Sequence, residues 1–189
     1  MKILLTVAAV ALCLSCRSAP AIAEREPVTW SRVPSSVLDA LCASSIRNEG
    51  IGRQTTINVV PRSQSLVTAA SLVSLRRAYL VKPGKGLEST PQMAQSIADG
   101  LTSIPVDIPA AGRSCNWATL ERFDRAHDND KMILQVSAPF ANPYAKSQWG
   151  AFARLTVGGE AAAWFWVPMM TRGGAVALGH VMALDVEEH

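Results

Sequence analysis

The sequence has few of the residues from which reactive sites are built. Charged residues make up 17% of the chain and aromatic residues 6%, with four cysteines among the 189 residues. The three histidines, His127, His180 and His189, are scattered, and no C-x-x-C pair occurs, which argues against the usual zinc-site spacings. Phosphate loops, Gly-x-Ser-x-Gly elbows and paired-carboxylate spacings are also missing. We therefore predict neither a bound metal nor a cofactor.

A strong charge of one sign is also lacking. The formal net charge is +3, but Lys2 and Arg17 lie in the predicted leader discussed next, and without them 16 basic residues face 15 acidic ones, a charge of +1. So small a charge does not attract nucleic acid or an anionic membrane over distance. Arg76-Arg77 and Lys82 with Lys85 form a small basic region. It is interpreted as a solvated face, and no nucleic-acid partner is predicted.

The N-terminus has the three-part pattern of a secretory signal peptide. Met1-Lys2 precedes an apolar run from Ile3 to Leu14, which is too short for a transmembrane segment, and Ala21-Ile22-Ala23 is a small-x-small cleavage site. We predict a signal peptide over 1–23 and export to the periplasm or the medium. The alternative is a lipid anchor on Cys16, although Cys13 stands where a lipoprotein signal has an aliphatic residue.

Cleavage before Glu24 would leave two cysteines, Cys42 and Cys115. In an oxidising compartment they have one possible pairing, so we predict a disulfide between them. Two buried reduced thiols are the alternative.

The N-terminal part of the mature chain is predicted to consist of short elements. They are a flexible lead-in (24–34), a helix with an apolar stripe (35–46), a β-branched strand (55–60), a strand or mixed element (72–81), a helix starting at a proline (91–101), an extended connector with two prolines (104–112) and a helical turn (120–123).

The last third of the chain is predicted to form consecutive antiparallel strands. Gly158-Gly159 and Gly173-Gly174 make the turns, and Asn142-Pro143-Tyr144 forms another. In the strand 163–170 both alternating sets of side chains are apolar, which indicates a central strand covered on both faces. The last strand is predicted to place its apolar residues and one histidine on a single face, namely Val176, Leu178, His180, Met182 and Leu184.

The predicted fold is a single α+β domain over 35–189, in which an N-terminal helical region packs on a C-terminal antiparallel meander. The order of elements resembles the cone-shaped sheet of the NTF2-like and ketosteroid-isomerase-like folds. It is also similar to the cystatin-like curved sheet wrapped on a helix. Both resemblances imply a strongly curved sheet.

Three side chains in the meander are candidates for ligand binding. Trp164 and Trp166 share one face of their strand, near Trp149 and Tyr144 in sequence, and would offer a stacking platform for a sugar or another flat ligand. Arg154 lies mid-strand and would hold a carboxylate or phosphate. The alternatives are core packing for the tryptophans and, for the arginine, a solvent-facing position against Glu160 or Gln135.

His180 is the weak candidate for a catalytic base, because it follows Gly179 on an apolar face, with Asp185 or Asp107 as an orienting acid. A hydrogen-bonded core histidine is the alternative. Taken together, the residues favour an exported, non-catalytic module that binds an unknown protein or small ligand. An isomerase- or hydrolase-like enzyme using Arg154 and His180, and an envelope-anchored structural lipoprotein, are the alternatives.

Overall fold

The computed structural model describes residues 30–43, 56–79, 91–101, 104–109, 115–121, 131–145, 148–158, 160–172 and 175–187. The predicted signal peptide and Cys16 lie outside these residues. The described elements, in chain order, are α1 (Ser35–Leu41), β1 (Thr56–Val59), α2 (Ala69–Tyr79), α3 (Pro91–Gly100), β2 (Asn116–Thr119), β3 (Met132–Val136), β4 (Phe140–Ala141), β5 (Trp149–Val157), β6 (Glu160–Arg172), β7 (Ala175–Leu178) and β8 (Met182–Leu184).

The strands form one curled mixed sheet with the shape of a half-barrel, which confirms the predicted α+β fold with a curved sheet. The strand order is β2-β1-β3-β5-β6-β7, with β4 paired to β5 and β8 paired to β6. The run from β3 through β5 and β6 to β7 is antiparallel, as the C-terminal sequence predicts. β1 pairs in parallel with both β2 and β3, an arrangement that the sequence reading does not include.

Helices cover both faces of this sheet. On one face, α1 packs against a core that includes Phe165, Val167 and Met169 of β6. On the other, α2 and α3 pack on Phe140, Phe152, Trp164 and Trp166; we call this the aromatic face. Because β6 contributes buried side chains to both cores, the predicted central strand with two apolar faces is confirmed.

The segment 69–79 forms a helix, so the strand or mixed element predicted over 72–81 is wrong for its described residues, 72–79. A reciprocal capping box starts the helix: the Ser71 N–H donates to Thr68 Oγ1 (3.1 Å) and the Thr68 N–H donates to Ser71 Oγ (2.8 Å). Leu72, Leu75 and Tyr79 then recur at helical spacing toward the sheet. Alternating apolar residues in a short segment do not distinguish a strand from a helix. Here the capping box at the start of the segment favours the helix.

The last strand is interrupted, which corrects the prediction that its apolar residues share one face. Val176 and Leu178 belong to the core under α1, whereas Met182 and Leu184 belong to the aromatic face. The pairing with β6 slips by one residue between the two pairs, from Met169↔Leu178 to Trp166↔Met182. A one-residue slip moves every following side chain to the other face.

Pro168 explains where the interruption falls. Its carbonyl accepts a hydrogen bond from the Gly179 N–H at 2.8 Å, but proline has no N–H to donate in return. A Cβ on residue 179 would approach Pro168 Cγ to 2.8 Å, so glycine is also required by the close contact. The ladder therefore breaks opposite Pro168, and His180 lies in the resulting bulge.

Cys42, buried at the end of α1, pairs with Cys115, which directly precedes β2, so the predicted pairing is confirmed. The two Cα atoms are 6.0 Å apart. The described end of the predicted lead-in also packs on the domain, because Val33 is fully buried and its N–H donates to the Asp107 carbonyl at 2.9 Å. The extended connector is found over 104–109, with Asp107 bridging to both Arg32 and Arg62.

Candidate functional site

The tryptophans predicted as a stacking platform are buried under α2 and α3. Trp166 is fully buried and Trp164 retains 6% exposure. The Trp166 ring contacts Phe140 and Phe152, with centroids 5.3 and 5.2 Å away, and Gly150 lies directly against its six-membered ring. The positions that a flat ligand would take are therefore filled by the protein's own side chains.

A buried polar chain ties this aromatic core to the 142–148 loop. The Trp166 indole N–H donates to the Tyr79 hydroxyl oxygen at 3.0 Å, and the Tyr79 hydroxyl donates to Gln148 Oε1. Asn142 Nδ2 donates to the same oxygen at 2.6 Å, and Asn142 Oδ1 accepts from the Tyr144 N–H. These bonds hold α2, β6 and the loop in one arrangement, which is a structural role.

Tyr144 lies beside this chain, and its buried hydroxyl oxygen has no hydrogen-bond partner. Burial raises the pKa of the Tyr144 hydroxyl above the ordinary value of 10.0, and the nearby positive charge of Arg76 offsets part of the rise. The phenol is therefore held neutral and is a poor general base at physiological pH.

Arg154, in β5, is half-buried on the aromatic face. Its partners on the two neighbouring strands are Gln135 of β3 and Trp164 of β6. Its guanidinium carbon lies 5.6 Å from the Trp164 ring centroid, a cation–π contact. The side chain thus covers the end of the aromatic core.

His180 is exposed in the bulge between β7 and β8. Arg154 lies on the β5 side of β6, opposite Trp164. His180 lies on the other side of β6, in the bulge opposite Pro168. Neither candidate acid is placed beside it: Asp185 follows β8 and its carbonyl accepts from Ser74 of α2, while Asp107 lies in the connector with its carboxylate 3.8 Å from Arg62 Nε. The structure does not bring the predicted catalytic residues together.

Two open grooves on the described surface are candidate ligand sites. The first has a volume of about 350 Å³ and lies between the segment before α2 and the end of α3. Its one carboxylate, on Asp99, accepts a hydrogen bond from Gln95 Nε2 at 2.7 Å. The second is larger, about 520 Å³, and lies where the chain enters α1; we call it the Trp30 groove. Its lining residues are Trp30, Ser31, Arg32, Pro34, Ser35, Ser36 and Pro109.

The Trp30 groove combines a cation, hydroxyl groups and flat apolar side chains. Arg32 and the three serines are exposed, while Trp30 is half-buried and contacts Trp149 edge-on at 6.3 Å between centroids. The Trp30 indole N–H is buried and has no hydrogen-bond partner. A few polar groups around an aromatic floor are typical of a small-ligand site.

The sequence reading missed this groove because residues 24–34 were interpreted as a lead-in. The available signal is Trp30 with Val28 and Val33, three apolar residues in a mostly polar, proline-bearing segment. Such residues have a reason to fold back onto a core. Pro109 is more than 70 positions away in sequence, so no local pattern joins it to Trp30.

Among the residues that the structure places, no three histidine, cysteine, aspartate or glutamate side chains cluster as metal ligands would. No helix within the same residues is long and apolar enough to cross a membrane. Comparison with known proteins finds no matching family model, curated protein or solved structure.

Proposed function

We propose that the protein is an exported, non-catalytic binding module whose ligand occupies the Trp30 groove. The observation that carries the proposal is the groove itself: it is larger than the groove beside α3, it is open, and it presents exposed serine hydroxyls and an arginine beside an aromatic ring. The aromatic face, by contrast, is filled by the protein's own side chains, and its Trp166 indole N–H is bonded to Tyr79.

The enzyme alternative requires Arg154 and His180 to converge on one pocket. Their separation across β6, with His180 exposed in a bulge and Arg154 against Trp164, supports binding over catalysis. The disulfide between Cys42 and Cys115 is compatible with an oxidising, exported environment.

Export is tested by the mass of the mature N-terminus after expression of the complete sequence in an exporting bacterial host. The proposal predicts a chain that begins at Glu24 and is recovered without detergent. A diacylated Cys16 would replace soluble export with membrane anchoring.

Binding is tested by soaking crystals of that protein with a fragment library of neutral sugars, acidic sugars, organic acids and amides. We expect the occupied fragments to concentrate in the Trp30 groove and to be recovered chemically unchanged. Fragments that insert beside Trp164 and Trp166, or no concentration at any groove, would contradict the proposal.

A further inference from the structure

A cation lines the Trp30 groove. Among the lining residues that the structure describes, Arg32 carries a charge and no carboxylate is present. The nearest acid in the backbone pairing, Asp107, bridges to Arg32 on one side and to Arg62 on the other, with its carboxylate 3.8 Å from Arg62 Nε. Asp107 is not a lining residue and its carboxylate lies beside Arg62, so the Arg32 cation favours an anionic ligand over a cationic one.

Arg32 is attached to a fixed part of the backbone. The next residue, Val33, is fully buried, and its N–H donates to the Asp107 carbonyl. The guanidinium therefore extends from an anchored backbone, so binding through it requires little further ordering of the main chain. Arginine presents a planar set of donors that matches the two oxygens of a carboxylate.

The remaining groups suit a ligand with hydroxyls and a ring. Ser31, Ser35 and Ser36 are exposed hydroxyls that both donate and accept. Trp30 contributes its ring, because its indole N–H is itself buried. Pro34 and Pro109 add apolar walls beside the indole, against which the C–H face of a sugar ring packs. A volume of about 520 Å³ accommodates one or two such rings.

We propose that the Trp30 groove binds a small polyhydroxylated carboxylate of the acidic-sugar class, with Arg32 holding the carboxylate. This inference rests on the proposed binding function and deepens it. A single cation is too few for a nucleic acid backbone, whose binding requires several phosphate contacts. A free monosaccharide acid and the acidic residue of a longer saccharide share this chemistry.

Isothermal titration calorimetry at low ionic strength tests the assignment with two matched probes, D-glucuronate and the neutral D-glucuronamide, which differ in charge and little in shape. We expect glucuronate to bind about tenfold more tightly, the size of effect that one charge-assisted pair supplies. An acidic disaccharide distinguishes the sources: tighter binding than glucuronate indicates a longer saccharide, and equal binding indicates the free acid.

The variant Arg32→Gln is expected to bind both probes equally, whereas Arg77→Gln retains the preference. Arg77 is an exposed arginine of α2, on the opposite face of the sheet, so the two variants change the net charge alike. Arg32 is also exposed, so we expect its variant to fold as the wild type does, and a thermal melt checks this.

Equal affinity of the wild-type protein for glucuronate and glucuronamide would overturn the carboxylate assignment and leave the binding function intact. If Arg77→Gln also loses the preference for glucuronate over glucuronamide, that preference is a general charge effect. Such a result would overturn the role of Arg32. If neither probe binds while other fragments occupy the groove, the ligand class is wrong. If nothing occupies the groove, the proposed function fails as well.

Discussion

At the scale of single residues, close contacts between the side chains of the aromatic face leave no space for other atoms. Trp166 is fully buried because Gly150, on the neighbouring strand, leaves space for its ring. A side chain at position 150 would occupy that space. The same close fit leaves no room for a ligand, which is why the tryptophans belong to the core.

The variant Gly150→Ala is expected to lower the free energy of unfolding by about 3 kcal/mol, because its Cβ overlaps the Trp166 ring and the core must shift. Gly100→Ala is the control: a Cβ there meets nothing within 4 Å, and the change raises the stability of α3 by up to about 1 kcal/mol. Urea unfolding of both variants measures the difference. Equal stability of the two would contradict the packing of Trp166 on Gly150.

Tyr144 gives a pH dependence at the same scale. Because burial raises the pKa of its hydroxyl in the folded state, the unfolded chain releases this proton at lower pH. Its contribution to stability is therefore complete below pH 10 and is lost as the pH rises through the higher folded-state pKa. We expect the free energy of unfolding to fall above pH 10 less steeply in Tyr144→Phe than in the wild type.

Tyr79→Phe is the matched control, since the chain has two tyrosines. It removes the bonds to Trp166 and Gln148 and lowers stability by about 1–2 kcal/mol at neutral pH. The Tyr79→Phe variant keeps Tyr144, so we expect it to retain the loss of stability at alkaline pH that Tyr144 causes. Identical alkaline slopes in the wild type and Tyr144→Phe would show that the Tyr144 pKa is not raised by folding.

At the scale of elements, the sequence predicts the strands better than their faces. The double apolar pattern of β6 identified the central strand, and its bounds, Glu160 and Arg172, lie between the two glycine pairs of the sequence. The slip opposite Pro168 was not predictable from alternation, because alternation assumes an unbroken strand. A proline inside a long strand pattern was the available signal for a bulge.

The parallel part of the sheet was harder to predict. β2 has the short sequence Asn-Trp-Ala-Thr, with no clear alternation, and its partner β1 is 60 residues earlier. Pairing at that distance is set by tertiary packing rather than by local preference. The Trp30 groove is hard to predict for the same reason, because its walls come from two segments that are distant in sequence.

The helix α2 allows a test of how much its N-terminal capping residues contribute to its formation. Ser71 is buried and bonds to Thr68, and its hydroxyl also donates to the Leu66 carbonyl at 2.9 Å. We expect Ser71→Ala to lower the free energy of unfolding by about 1–2 kcal/mol. Ser96→Ala, at an exposed position of α3, is expected to change it by less than about 0.5 kcal/mol. Chemical denaturation compares them, and equal effects would remove the capping box as the cause of the helix.

At the scale of the whole molecule, the disulfide joins α1 to the edge of the sheet where β2 pairs with β1. It spans a sequence separation of 73 residues, so it restricts a large part of the unfolded chain. The helix it fixes is the one whose start lines the Trp30 groove. Stability and the shape of the groove are thus linked through this bond.

Replacing both cysteines by alanine is expected to lower the free energy of unfolding by about 4 kcal/mol on the chain-entropy account of a loop of this length. A reducing agent should destabilise the wild type to a similar extent and leave the double variant unchanged. Urea titrations with and without dithiothreitol measure both. An unaltered wild type under reducing conditions would show that the bond does not restrain the fold.

We expect ligands to bind this molecule at the Trp30 groove and not at its aromatic face. The chain has five tryptophans, so the ¹H–¹⁵N spectrum of the labelled protein contains five indole signals, which single Trp→Phe variants assign. During titration with D-glucuronate, we predict a saturable shift of the Trp30 signal while the signals of Trp164 and Trp166 stay in place. Shifts of Trp164 and Trp166 with an unmoved Trp30 would contradict the account.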